Sequence, residues 1–175
     1  MQHHSKYARI ERERRFLLER LPQGIKVTRV RRITDRYIDD TALRLRVQHE
    51  DHGPTVFKLT QKVPAPGNGA QQGLITSMYL TEEEFAVIAQ LPARMLSKIR
   101  YSVPPFGIDV FEGRLQGLVL AEAEFQSGEL ADALVIPSLI RCEVSADSRF
   151  AGGHLVAASR QDLERWLSEY GIALT

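Results

Sequence analysis

Glu11, Glu13 and Arg15 stand two residues apart in the run Glu11-Arg12-Glu13-Arg14-Arg15-Phe16. Side chains of an extended strand alternate between faces, so these three share one face. Carboxylates at this spacing hold a hard divalent cation, and a neighbouring guanidinium grips a phosphate oxygen; the run therefore suggests metal-assisted phosphate chemistry. A charged edge strand facing water has the same appearance. The pattern recurs, however. Leu43, Leu45 and Val47 alternate with Arg44 and Arg46, and Phe57, Leu59 and Gln61 alternate with Lys58, Thr60 and Lys62. Lys98 and Arg100 lie opposite Ile99 and Tyr101, Asp109 alternates with Ile108 and Val110, and Glu122 and Glu124 alternate with Ala121, Ala123 and Phe125.

The elements that must position these residues are mostly strands. Period and punctuation predict strands near 7–18, 29–38, 42–49, 55–63, 74–80, 96–103, 106–112 and 118–125. Turn chemistry separates them at Leu21-Pro22-Gln23-Gly24, Asp39-Asp40-Thr41 and Asp51-His52-Gly53-Pro54, and in the longer stretch Pro64 to Gly69, which reads as a loop at a mouth. Thr81 followed by Glu82, Glu83 and Glu84 opens a capped helix that Leu91-Pro92 ends. Leu163, Trp166, Leu167 and Tyr170 give a second, amphipathic helix over about 160–170, opened by Ser159 or Gln161 and stopped by Gly171, with Trp166 a core anchor. Shorter helices are expected within 127–133 and 145–157. Two architectures put one charged face on each strand: an open sheet whose charges meet water, or a closed barrel whose charges point inward. Eight strands and few helices favour closure, and a charged lining is costly unless an ion or ligand compensates it.

Composition sets bounds. The 175 residues predict one domain, 1–175, with Lys+Arg 23 against Asp+Glu 22, so an anionic partner must be recruited locally. The single cysteine, Cys142, excludes an intramolecular disulfide and multi-cysteine zinc patterns, and reads as a packing residue. No run reaches the ~18 to 20 apolar residues needed to span a membrane, and the N-terminus is too polar for a secretory signal; a soluble, cytoplasmic protein is expected. His3 and His4 carry little information, and His49, His52 and His154 lack zinc spacing. Asp35, Asp39 and Asp40 flank a turn, where Asp bonds local backbone, and are discounted as a metal cluster; Tyr37 and Tyr101 read as packing residues or as supports behind the site, with a substrate contact left open, and Arg29-Val30-Arg31-Arg32 as a solvated strand face. Near-zero net charge speaks against nucleic acid.

The order of segments resembles the CYTH superfamily, the triphosphate tunnel metalloenzymes, which include inorganic triphosphatases, thiamine triphosphatases and class IV adenylate cyclases. The resemblance rests on Glu11 to Arg15 against a Glu-x-Glu-x-Lys signature, Arg36-Tyr37-Ile38-Asp39 with Leu43-Arg44-Leu45-Arg46, and Phe57 to Lys62. It continues through Lys98-Ile99-Arg100-Tyr101, Ile108 to Gly113, Gly117 to Glu124, Glu143-Val144-Ser145 and Asp147 to Phe150, covering about 7–158. The resemblance implies a mainly β (α+β) fold, a closed eight-stranded antiparallel β-barrel with flanking helices, including a C-terminal amphipathic helix. It implies that Arg44, Arg46, Lys58, Lys62, Lys98 and Arg100 bind phosphate, and that Glu11, Glu13, Glu122 and Glu124, with Asp109 a further member, hold Mg2+ or Mn2+. Arg15, Glu122 and Glu124 would serve catalysis. Two departures stand out: Arg15 replaces the signature lysine, and Gly73 to Leu80 offers only Thr76, Ser77 and Tyr79 where many triphosphatases carry Arg and Glu. The expectation is a divalent-metal-dependent phosphohydrolase acting on tripolyphosphate or another triphosphate-containing substrate. The alternative is a non-catalytic binding module for polyphosphate, nucleotide or organic phosphate; adenylate cyclisation requires a nucleoside pocket that the sequence does not reveal. A homodimer is left open.

Overall fold

The structure, a computed structural model, describes residues 6–64 and 72–174. The expected mouth loop after Pro64 falls outside these residues, as do His3 and His4. Among the described residues the chain forms strands β1 (Arg9–Leu18), β2 (Arg29–Ile38), β3 (Leu43–Glu50), β4 (Val56–Pro64), β5 (Gln72–Leu80), β6 (Ala93–Val103), β7 (Phe106–Phe111) and β8 (Val119–Glu124), and a two-residue β9 (Cys142–Glu143). Helices are α1 (Glu82–Ile88), α2 (Gly128–Asp132), α3 (Gly152–Leu155) and α4 (Arg160–Glu169). Capping boxes open α1, from Thr81 to Glu84, and α4, from Ser159 to Asp162. Gly171 follows α4 at φ +69°, the left-handed conformation at which helices commonly stop.

All eight expected strands form, and all pair antiparallel. Their order is β5-β4-β3-β2-β6-β7-β8-β1, and β1 returns to β5 through the pairs Arg9 with Ile75 to Arg12 with Gln72, which closes the barrel. Past those four pairs β5 is no longer hydrogen-bonded to β1. Farther along β1, β9 takes the edge, with Phe16 opposite Glu143 and Leu17 opposite Cys142. Strand β1 thus runs from the acidic part of the interior to its apolar end.

Alternation divides the side chains between two surfaces. On β1, β7 and β8 the outward stripe of Phe16, Leu18, Phe106, Ile108, Val119, Ala121 and Ala123 is buried, covered by Leu21, Ile25, Phe125, Leu134 and Ile140 from the connecting segments. The inward stripe is charged along part of its length. It then turns apolar at Leu17, Leu96, Phe111 and Leu120, which pack with Phe150, Leu155, Leu163 and Leu167 of the C-terminal segment. Trp166 and Tyr170 stand edge-on to the Phe150 ring at 6.3 and 5.8 Å, as the core-anchor reading of Trp166 requires. Among the described residues no helix is long and apolar enough to cross a membrane.

Candidate active site

The strand register brings the charged side chains together. Two residues apart on β1, Glu13 and Arg15 face Glu124 and Glu122 of β8. Across the other strands, Arg46 faces Asp35 on β2 and Lys58 on β4, and Arg100 faces Asp109. Their inner face encloses a cavity of about 510 Å³. Glu11, Glu13 and Arg15 line it from β1, Arg44 and Arg46 from β3, Lys58 and Lys62 from β4, Lys98 and Arg100 from β6, and Glu122 and Glu124 from β8. Of the expected site residues, only Asp109 is not part of this lining.

Asp109 lies beneath that lining. It is fully buried; Lys98 Nζ donates to its Oδ2, and Arg100 donates through Nε to Oδ1 and through Nη2 to Oδ2, both at 2.6 Å. Asp109 shares the inward face with Arg100 opposite, and its two oxygens are occupied by Lys98 and Arg100, which it orients. Asp35 corrects the sequence reading: instead of bonding backbone beside the turn, it is a buried residue of β2 that accepts 2.7 and 2.8 Å bonds from Arg46 Nε and Nη2 and lies 3.5 Å from Arg44 Nε. Burial opposes its ionisation, but Arg46 and Arg44 outweigh burial and hold its carboxyl well below the usual range. Asp40 does sit in the turn, at φ 56°, and Asp39 makes a loose 3.8 Å pair with Arg94.

The two buried aspartates each fix two cations, so the basic wall is preorganised. Lys58 is held differently: burial, followed by Arg46 and Arg44, lowers its ammonium to about 8. The Nε atoms of Arg15 and Arg44 are buried without a hydrogen-bond partner, which leaves donors in the cavity wall for an incoming acceptor. Arg15 is 1% exposed, and its Nη2 donates to the Ser145 carbonyl at 3.3 Å. Arg29 and Arg32 face solvent and pair with Glu50 and Glu112, as a solvated face should. Arg31 departs from that reading: it is half-buried, opposite Arg100, and donates to Ser102 Oγ at 2.8 Å.

The acidic wall is electrostatically unbalanced. Glu122 accepts from Arg100 Nη2, and although burial works against its charge, Lys98, Arg100, Lys62 and Arg15 outweigh burial and keep it ionised. Glu11 pairs with Lys62 at 2.8 Å. Glu13 faces Glu124 across the strands, and burial, then repulsion from Glu122 and Glu11, pushes it up to about 7 despite Lys62 and Arg15. Among the described residues no three His, Cys, Asp or Glu side chains form a ready-made metal cage. Mg2+ is commonly held by one or two carboxylates together with substrate phosphates, so a complete protein cage is not required. The hard oxygen donors and the crowded negative charge around Glu13 fit such a cation.

Glu13 yields a pH prediction. Below its ordinary value of 4.5 it is protonated in the folded and unfolded chain alike; between 4.5 and about 7 only the folded chain keeps the proton. Its contribution to stability is therefore present at low pH and is lost as pH rises through about 7. Compared with wild type by thermal melting, Glu13→Gln is expected to gain stability at pH 8 over pH 5, by up to about 3 kcal/mol. Equal behaviour at both pH values would show that Glu13 ionises freely.

Sequence reasoning missed two contributors and left Tyr37 to packing or support. Arg9 and Tyr37 line the cavity, as does the segment Phe150 to Leu155, which includes His154. The phase of β2 held a signal, since Ile33, Asp35 and Tyr37 alternate on one face. The C-terminal contribution held none, because Gly152 and Gly153 carry no side chain. Strand β5 matches its reading: it offers no carboxylate, and Ser77 instead hydrogen-bonds Thr60 at 3.0 Å.

No family model and no curated protein sequence matches the chain. Solved structures do. One, described as the hypothetical protein NE1496, superposes with a TM-score of 0.55 at 26% identity, over 85% of this chain and 99% of that one. Another, described as the inorganic triphosphatase NE1496, gives 0.54 at 24% identity, over 85% and 95%. The likeness is one of fold, a closed eight-stranded antiparallel barrel.

Proposed function

We propose that this chain is a divalent-metal-dependent phosphohydrolase that cleaves a terminal phosphoanhydride of inorganic tripolyphosphate or another triphosphate-containing substrate. The observation that carries this reading is the convergence of Arg15, Arg44, Arg46, Lys58, Lys62, Lys98 and Arg100 on one cavity whose remaining charged wall is carboxylate. Asp35, Asp109 and the glutamates offset part of this charge, but the buried Nε donors of Arg15 and Arg44 keep no hydrogen-bond partner, and a short phosphate chain has the charge density and the acceptor oxygens to meet them. The structural likeness to an inorganic triphosphatase supports the same substrate class.

Phosphoryl transfer needs charge neutralisation and in-line positioning more than a covalent nucleophile. Arg44 and Arg46, steadied by Asp35, and Lys98 and Arg100, steadied by Asp109, hold the equatorial oxygens and neutralise charge as the bridging bond breaks. Lys58 and Lys62 grip the chain from β4. Glu11, Glu13, Glu122 and Glu124 would hold Mg2+ or Mn2+, which when bound supplies Lewis-acid stabilisation and lowers the pKa of water. Arg15 is always cationic, so it binds and orients phosphate but cannot accept a proton.

A second reading, a binding module without turnover, is favoured by one observation: β5 carries no carboxylate, and its Ser77 hydrogen-bonds Thr60 of β4 instead. Phosphate release from tripolyphosphate, pyrophosphate and a nucleotide panel, with Mg2+, Mn2+ or EDTA, separates the two. The hydrolase reading expects metal-dependent release from at least one triphosphate. Tight binding with no release under any condition would assign the tunnel to the module.

A further inference from the structure

We propose that Tyr37 is a positioning residue for the phosphate-binding guanidinium of Arg44, and that the C-terminal segment sets its place through Gly152. The inference rests on the phosphate-binding reading of the tunnel and adds to it a link between the C-terminal segment and the site.

Tyr37 and Arg44 are direct cross-strand neighbours on β2 and β3, with their side chains on the cavity face. The register sets the Tyr37 hydroxyl beside the Arg44 guanidinium, close enough for each to act on the charge of the other. Arg44 needs this contact more than Arg46 does: Arg46 is clamped by Asp35 through two bonds, whereas Arg44 reaches Asp35 only at 3.5 Å and its Nε has no partner. Burial, then the charge of Asp35, pushes the Tyr37 hydroxyl up to about 12, so it stays neutral and offers lone pairs to a guanidinium donor.

What fixes Tyr37 from the other side is backbone. A Cβ at Gly152 would lie 2.0 Å from Tyr37 Oη and 3.0 Å from Cζ. Such an approach is open only to glycine. The backbone at 152 cannot retreat, because Phe150 and Leu155 on either side of it are each 1% exposed within the C-terminal core. Any side chain at 152 must therefore displace the tip of the Tyr37 ring, and with it the contact that holds Arg44.

Calorimetric titration of tripolyphosphate in EDTA tests this without requiring turnover. Tyr37→Phe is expected to weaken binding roughly ten-fold, as loss of one hydrogen bond to a charged group should. In an Arg44→Ala background the same change is expected to have no effect. Gly152→Ala is expected to weaken binding at least as much as Tyr37→Phe, and the Gly152→Ala/Tyr37→Phe double variant to bind no worse than Tyr37→Phe alone. Undiminished binding by Tyr37→Phe, or an equal loss with and without Arg44, overturns the proposal, and this arm stands even if Gly152→Ala does not fold. Failure of folded wild type to bind tripolyphosphate overturns the phosphate reading itself and this inference with it, a result distinct from a failed cycle.

Discussion

Asp35→Ala is expected to lower folding stability by about 3–5 kcal/mol, the usual cost of removing one partner from a buried ion pair. Asp35 is 1% exposed, and its two oxygens carry the Arg46 guanidinium while its charge faces Arg44. Removing it leaves two buried cations with no compensating charge and the neighbouring Lys58 ammonium under stronger repulsion. The loss should appear as a lower denaturation midpoint with an unchanged m-value. A triphosphate replaces some of the missing negative charge, so tripolyphosphate should raise the melting temperature of the variant more than that of wild type. Asp35→Asn keeps an acceptor oxygen and should lose less than the alanine variant. A midpoint equal to wild type for Asp35→Ala would mean that water already solvates these arginines and that the wall is not preorganised.

Much of this was legible in the sequence because a strand writes its faces into alternate residues. Arg44 and Arg46, or Glu122 and Glu124, announce one charged face each, and the boundaries of β2 follow directly from the residues. Strand β6 begins at Ala93 rather than at Leu96; the adjacent apolar residues Met95 and Leu96 break the alternation there, so nothing local joins 93–95 to the strand that follows. Closure depends on β1 meeting β5, a pairing of residues sixty or more positions apart for which alternation gives no sign. The partners of the two aspartates were hidden for a related reason. An Asp in a turn and an Asp under two arginines are the same letter, and only the phase of Asp35 with Tyr37 on β2, and the cross-strand partners of Asp109, distinguish them. The role of Gly152 was invisible because it lies in a missing side chain and a distant hydroxyl.

Glu122→Gln is expected to have the largest effect on turnover, at least about 100-fold. Glu122 meets Arg100 on one side and raises the proton affinity of Glu13 on the other, so it joins the basic wall to the acidic one. The amide keeps the shape of the side chain but removes the charge that would help hold a divalent cation. It also lightens the negative side of the cavity, which relieves Glu13 and leaves Arg100 freer to meet phosphate. Binding of tripolyphosphate in EDTA should therefore be unchanged or tighter while turnover with Mg2+ collapses, a division that general damage to the fold would not produce.

The most direct measurement is phosphate release from tripolyphosphate by wild type and Glu122→Gln, each with Mg2+ and with EDTA, beside calorimetric binding of the same compound in EDTA. The account predicts release by wild type with Mg2+ alone, loss of that release in Glu122→Gln, and retained binding by both. Release that persists in EDTA, or that survives Glu122→Gln undiminished, would contradict it.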